Sequence, residues 1–152
     1  MKNVFKLKDE ALAEAYEYFD KNVRSLPKGE DGKVDQYANG LADNDVDAFR
    51  HAYVSGVFAK ELGTGEAKFY GFLQELLGGN GSSANNSDAA KNMDYWNNDV
   101  GRKLGKDSES REQLLKVIHE ALKNGELIID LKDTRKYGKD VSFIPEIGRA
   151  HV

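Results

Sequence analysis

Apolar residues recur every three or four positions along most of this chain, a spacing that places them on one face of an α-helix. Glycine residues interrupt the pattern and predict where helices end. The segments that carry the pattern are about Asp9–Arg24, Asp43 or Asp45 to Gly63, Glu66–Leu77, Asp88–Leu104 and Ser108–Lys123. The sequence therefore predicts a mainly α fold, a helical bundle of about five helices.

Two short runs near the C-terminus are rich in the residue types that favour strands. They are Glu126–Leu131 and Val141–Ile144, and together they predict a small C-terminal β-hairpin. The chain shows no internal repeat and no sign of a second domain. We therefore expect residues 1–152 to form a single domain, with the candidate functional motifs between residues 43 and 102.

Composition limits the chemistry that the chain can perform. None of its 152 residues is cysteine, which excludes disulfides, zinc ribbons and thiol nucleophiles. Any metal would be held by oxygen or imidazole ligands, and this favours hard cations. The formal net charge is −4 and the basic residues form no block, so nucleic acid is a poor candidate partner.

The sequence also limits where the protein is expected to act. Its longest apolar stretches are far too short to cross a bilayer, so no transmembrane segment is expected. The first residues, Met1 to Phe5, are followed by charged residues instead of the apolar core of a signal peptide. We expect a soluble protein that is secreted by a non-classical route, or is otherwise cytoplasmic.

The first polar motif opens the second predicted helix with aspartates at alternate positions, Asp43, Asp45 and Asp47. Helix capping and the helix dipole offer an explanation for the first two. Asp47 lies beyond the cap, and it shares one helix face with Arg50 and His51 because these positions are three and four residues further on.

The alternating aspartates resemble the first half of a calcium-binding EF-hand loop. Ala48 stands at the sixth position, where such loops carry glycine, and Val54 stands at the twelfth, where they carry glutamate. An EF-hand is therefore not expected, although a cation held by some of these aspartates with groups from elsewhere in the fold stays open. The candidate metal ligands are Asp43, Asp47 and Asp94.

The second polar motif, Asn92–Arg102, is crowded with asparagine and aspartate, although both are weak helix formers. Asp94 and Asn98 are four residues apart, so their side chains point the same way. Gly101 leaves room for a ligand or another backbone to approach. The alternative is an asparagine-rich helix end that is capped by Gly101.

Face-to-face packing of the two motif helices would bring four polar side chains into one pocket. They are Asp47, His51, Asp94 and Asn98, with Glu75 of the third predicted helix as a further carboxylate nearby. In such a pocket the carboxylates would hold a cation and His51 would transfer protons near neutral pH. Arg50 or Arg102 would hold a phosphate group, and Asn98 would contact the substrate.

The two motifs together resemble those of a known family. Asn44–Ser55 reads N-D-x-D-A-F-R-H-A-Y-x-S, and Met93–Arg102 reads M-D-x-x-N-N-x-x-G-R. In these residues the chain resembles the C-terminal toxin domains of bacterial polymorphic and wall-associated secreted proteins. Among them it is similar to the helical, calcium-dependent antibacterial toxins typified by TelC, which attack the cell-wall precursor lipid II.

The resemblance implies a secreted antibacterial hydrolase that cleaves a phosphorylated cell-envelope precursor at a membrane surface. It implies calcium as cofactor, with magnesium or no metal as alternatives, and it allows for an immunity protein as partner. Asp47 and Asp94 would be the essential carboxylates, and His51 would be the catalytic base or acid. Tyr95 or Trp96 would form an apolar rim, unless they belong to the core.

Three alternatives stay open. One is a phospholipase or phosphodiesterase that uses the same site on another phosphorylated substrate. Another is a non-enzymatic module that binds calcium structurally. The third is an immunity or adaptor protein, which the small size and the acidic charge would suit.

Overall fold

Residues 3–63 and 87–138 are described by the computed structural model, and they are mainly helical. The helices are α1 (Val4–Asn22), α2 (Asp45–Leu62), α3 (Asp88–Asp107) and α4 (Arg111–Lys123). The predicted helix Glu66–Leu77 and the predicted strand Val141–Ile144 lie outside the described residues. The mainly α prediction is confirmed, with four helices in the described residues where the sequence predicts about five in the whole chain.

The first helix begins earlier than its apolar spacing predicts. Asn3 is its N-cap, because the Asn3 side-chain oxygen accepts hydrogen bonds from the backbone N–H groups of Phe5 and Lys6 at 3.0 and 3.2 Å. Asp9, the predicted cap, lies inside the helix. The predicted start of α1 is therefore wrong.

Helix α2 lies within the predicted range, but its N-cap is Asn44 and not one of the aspartates that helix capping was expected to explain. The Asn44 side chain caps the N-terminus by accepting a hydrogen bond from the Asp47 N–H at 3.3 Å. Gly63 ends the helix with a φ of 59°, the left-handed conformation that glycine adopts readily. The second predicted helix is confirmed.

The boundary between α3 and α4 differs from the prediction by a few residues. α3 continues past Leu104 to Asp107. Ser110 caps α4 by accepting from the Gln113 N–H at 3.0 Å, so α4 begins at Arg111.

Helix α2 lies at the centre of the described fold, with α1, α3 and α4 packed against it. Most of its residues are buried, which is typical of a helix surrounded by others. The large buried side chains of the core are Tyr16, Phe19, Phe49, Tyr53, Phe58, Met93, Trp96, Leu114, Ile118 and Leu127. Neither α2 nor another described helix has the length and apolar content to cross a bilayer.

Helices α2 and α3 contact each other through their backbones. A Cβ atom added to Gly101 would lie 1.9 Å from the carbonyl oxygen of Ala52, and one added to Gly105 would lie 2.2 Å from that of Gly56. Only a residue without a side chain permits such an approach. Gly101 therefore serves close packing, and the alternative in which it caps the helix is wrong because α3 continues to Asp107.

The run Glu126–Leu131 is not a strand. It belongs to an irregular segment, residues 125–137, which we call the strap. The Asn97 side-chain amide donates to the carbonyl of Ile128 and accepts from its N–H, both at 2.8 Å. The predicted hairpin is wrong for this run, because a side chain of α3 takes the backbone groups that a partner strand would pair.

Candidate functional site

Three side chains that can bind a metal meet between α2 and α3. Asp47 and His51 lie four residues apart on one face of α2, and Asp94 reaches them from α3. His51 Nε2 is 3.4 Å from Asp47 Oδ1 and 3.5 Å from Asp94 Oδ1. One ligand atom from each residue lies within 4.8 Å of the other two. The structure thus brings these three predicted residues together.

Asp47 is fully buried, and the fold holds both of its oxygens. Arg50 contacts Asp47 Oδ1 through Nε at 2.7 Å and Nη2 at 2.6 Å, and its Nη1 donates to the Tyr16 hydroxyl at 2.5 Å. The backbone N–H of Asp43 donates to Asp47 Oδ2 at 2.8 Å. Asp43 has a φ of 57°, which is uncommon for a residue other than glycine. Arg50 therefore compensates the charge of Asp47, and the backbone N–H of Asp43 holds the second oxygen of the Asp47 carboxylate.

His51 is buried and is held through its other ring nitrogen. His51 Nδ1 lies 3.0 Å from Asn98 Oδ1, and the same oxygen accepts a hydrogen bond from Ser55 Oγ at 2.9 Å. An amide oxygen can only accept, so Nδ1 carries the proton. Nε2 of the neutral ring then carries a lone pair, and it is buried with no hydrogen-bond partner among the described residues.

Asp94 is the member of the group that reaches solvent, with 13% of its side chain exposed. Burial raises the pKa of Asp94 above its usual range, the negative charges of Asp47 and Asp43 raise it further, and the positive charge of Arg50 opposes them. A carboxylate in such surroundings gains from a nearby cation. The electrostatics of the group therefore suit a positive ligand.

Two further predicted residues, Asn98 and Arg102, are not members of this group of potential ligands. Asn98 is buried between His51 and Ser55, and its side-chain oxygen contacts both residues. Arg102 is buried and donates to Asp99 Oδ1 at 2.8 Å. It lies about 12 Å along α3 from Asp94, so the structure does not bring it to the group. Glu75 lies outside the described residues.

Two residues of the site were missed by sequence reasoning. Ser55 follows His51 by four positions on a helix that is buried on both sides, and that spacing could have identified it. Tyr16 comes from α1 and contacts Arg50 across a long sequence separation. No local spacing indicates a contact of that kind.

Two residues at the start and middle of the second motif, Asn92 and Trp96, hold the strap. Asn92 donates to the carbonyl of Arg135 at 2.9 Å and accepts from the N–H of Tyr137 at 2.6 Å. Trp96 is fully buried, and its indole N–H donates to the carbonyl of Glu126 at 2.9 Å. Trp96 therefore belongs to the core and not to an apolar rim. The asparagines of this motif therefore serve two purposes. Asn92 and Asn97 bind the strap at one face of α3, and Asn98 contacts His51 and Ser55 at the face toward α2.

A family model described as "Domain of unknown function (DUF6973)" matches residues 1–126, which include all four described helices. The chain belongs to this family. No curated protein and no solved structure matches it. The description of the family names no activity, so the resemblance to toxin domains stays a prediction.

Proposed function

We propose that this protein is a metal-dependent hydrolase that acts on a phosphate or pyrophosphate ester, with Asp47, His51 and Asp94 as its metal ligands. The observation that carries the proposal is the position of His51 Nε2. This atom is buried, has no hydrogen-bond partner among the described residues, and faces carboxylate oxygens of both aspartates. Buried polar atoms are nearly always hydrogen-bonded, so an exception where three potential ligands meet supports a cation site.

The distances between the ligand atoms support the same conclusion. Two ligands that each lie about 2.1 Å from a tetrahedrally coordinated ion are about 3.4 Å apart. His51 Nε2 is 3.4 Å from Asp47 Oδ1 and 3.5 Å from Asp94 Oδ1. A protonated histidine that donates to a carboxylate lies closer, at about 2.7–2.9 Å. The spacing suits two ligands of one ion better than an ion pair.

The charges around the site also favour a divalent cation. Asp43, Asp47 and Asp94 are close enough that the charges of the first two raise the pKa of the third. Arg50 compensates one carboxylate through its contacts with Asp47. With a neutral histidine, a divalent ion would balance the charge that remains.

The site has the groups that phosphate ester hydrolysis requires. A bound divalent ion neutralises phosphoryl oxygens and lowers the pKa of a coordinated water. Asp94 lies at the solvent side of the group, where a water or a substrate oxygen can reach it. Arg50 holds Asp47 in position through its contacts with Asp47 Oδ1, so we expect this ligand to keep its arrangement when substrate enters.

The resemblance of the motifs to toxin domains makes lipid II the first substrate to test. The same resemblance adds two further parts to the proposal. They are an antibacterial role outside the producing cell and an immunity protein as partner. A phospholipase or phosphodiesterase would use the same chemistry on a different phosphorylated substrate. Product analysis separates these activities.

The test is hydrolysis by chelator-treated protein to which Zn²⁺, Mn²⁺, Mg²⁺ or Ca²⁺ is restored in turn. The substrates are lipid II, a panel of phospholipids and a chromogenic phosphodiester. We expect turnover that depends on an ion and falls to background in Asp94→Asn. Asp107→Asn, which changes an exposed carboxylate of the same helix, should keep full activity. Absence of turnover with every ion and substrate would overturn the hydrolase proposal.

A second candidate function is a structural ion site without turnover. It is favoured by the burial of Asp47 and His51, which are 0% and 1% exposed, because structural sites are usually closed to solvent. In that case the ion would raise the melting temperature through its binding to the folded state, and no product would form.

A further inference from the structure

We propose that Ser55 and Asn98 are positioning residues that fix the tautomer of His51, and that they thereby make the site selective for a borderline divalent ion such as Zn²⁺ over Ca²⁺. The inference rests on the metal site of the proposed function. It adds the class of ion and two residues that act through His51.

The evidence is a buried relay between the same two helices. Ser55 and His51 lie four residues apart on α2, and the Asn98 side chain of α3 lies between them. Asn98 Oδ1 is 2.9 Å from Ser55 Oγ and 3.0 Å from His51 Nδ1. All three residues are buried. A relay without access to water cannot exchange these hydrogen bonds for bonds to solvent.

The direction of the hydrogen bonds sets the state of the ring. The Ser55 hydroxyl donates a hydrogen bond to the amide oxygen of Asn98. The same oxygen lies 3.0 Å from His51 Nδ1. Because that oxygen only accepts, the proton of the neutral imidazole is on Nδ1. The lone pair is then on Nε2, which points between the carboxylates of Asp47 and Asp94. Metal-binding histidines are commonly held in this way by a second hydrogen bond.

A nitrogen ligand at this position changes which ion the site prefers. Ca²⁺ is bound by six to eight oxygen atoms in most protein sites. Imidazole is a preferred ligand of Zn²⁺ and similar ions, which are usually bound by only four ligands. A site of one imidazole and two carboxylates therefore matches Zn²⁺ more closely than the calcium that the sequence resemblance implies.

The first measurement is nitrogen NMR of histidine-labelled, metal-free protein, with His51→Gln used to assign the signal. We expect the His51 ring to be neutral, with the proton on Nδ1, and we expect its Nε2 signal to move when Zn²⁺ is added. A proton on Nε2 in the wild-type protein would overturn the positioning role.

The second measurement is calorimetric titration of the chelator-treated chain with Zn²⁺ and with Ca²⁺. We expect Zn²⁺ to bind at least about 100-fold more tightly, and its affinity to fall by about 10–100-fold in Ser55→Ala. Ser55→Thr keeps the hydroxyl and should restore most of the affinity. His119→Gln, which removes an imidazole of α4 that bonds to Tyr18, should leave Zn²⁺ binding intact. Thermal melts of each variant show whether it is folded.

The outcomes separate this inference from the proposed function. Tighter binding of Ca²⁺ than of Zn²⁺, with hydrolysis supported by Ca²⁺, would overturn the inference and leave the hydrolase standing. Zn²⁺ binding that depends on Ser55, together with no hydrolysis in the presence of any of the four ions, would overturn the hydrolase and confirm the relay. Binding of neither ion would overturn this inference, and absence of turnover with Mn²⁺ and Mg²⁺ as well would overturn the hydrolase.

Discussion

Helix α3 carries buried polar side chains on two faces, and the faces differ in how those side chains are paired. On the face toward the strap, Asn92 and Asn97 each bond to a carbonyl and an N–H of the backbone. On the face toward α2, the relay through Asn98 ends at His51 Nε2, which has carboxylates on both sides and no hydrogen-bond partner among the described residues.

Under the proposed function, this difference separates a stabilising face of α3 from an ion-binding face. A buried amide whose donor and acceptor are both satisfied stabilises a particular arrangement of the chain. A buried nitrogen that is oriented by one hydrogen bond and left open on its other side costs stability and is retained where it binds something. Residue type alone does not separate the two faces, because both use asparagine.

The largest effect is expected from Gly101→Ala, which forces α2 and α3 apart. The new Cβ atom would lie 1.9 Å from the carbonyl oxygen of Ala52. This is a backbone atom, so relieving the clash requires one of the two helices to shift. We expect a loss of at least about 3 kcal/mol in the free energy of unfolding, together with the loss of ion binding. Urea denaturation measures the change in the free energy of unfolding, and Lys106→Ala on the exposed side of α3 is the control. A variant as stable as the parent would contradict the backbone contact.

The neighbouring asparagines test the comparison directly. Asn97→Ala and Asn98→Ala should each lower the free energy of unfolding by about 2–3 kcal/mol, because each leaves buried partners without a hydrogen bond. Only Asn98→Ala should also weaken ion binding, by about 10–100-fold. Calorimetric titration of both folded variants with Zn²⁺ measures their ion affinity. Equal loss of ion affinity in the two would break the distinction between the faces.

Asp94→Asn should remove ion binding without destabilising the metal-free protein. Burial raises the pKa of Asp94, so its charge at neutral pH opposes folding. We expect the free energy of unfolding to stay level or to rise by up to about 1 kcal/mol. The comparison is made at neutral pH in the presence of chelator. A clear loss of stability would indicate an ion pair with His51 in place of an open ligand site.

The smallest effect concerns the strap. Hydrogen bonds from Arg135 lower the pKa of Asp133 below its model-compound value of 3.8. The resulting stability is present above pH 3.8 and is lost as the pH falls through the lower pKa of the folded state. Asp133→Asn should therefore flatten the acid end of the stability profile by no more than about 1 kcal/mol, because water screens this pair. An unchanged profile would show that the pair contributes nothing.

Much of the fold was predictable because its signals are local. The spacing of apolar residues identified the helices, and Gly63 marked the end of α2. The spacing of Asp47 and His51 also predicted that they share a face. The pairing of Asn97 with Ile128 could not be predicted, because it joins an irregular segment to a helix far back in the sequence. Helical spacing placed Asn98 on the face of Asp94 and away from Asn97, but it did not indicate what either asparagine would contact.

The strap also affects where this protein can be divided. The family match ends at residue 126, yet Leu127 and Ile128 are core residues, and all four backbone groups that Asn92 and Asn97 bind lie beyond that point. A shortened protein that stops at the family boundary would expose the Trp96 side of α3 to water. The boundary of the shared sequence is therefore not the boundary of the cooperative folding unit, and expression of this domain should extend at least to Gly138.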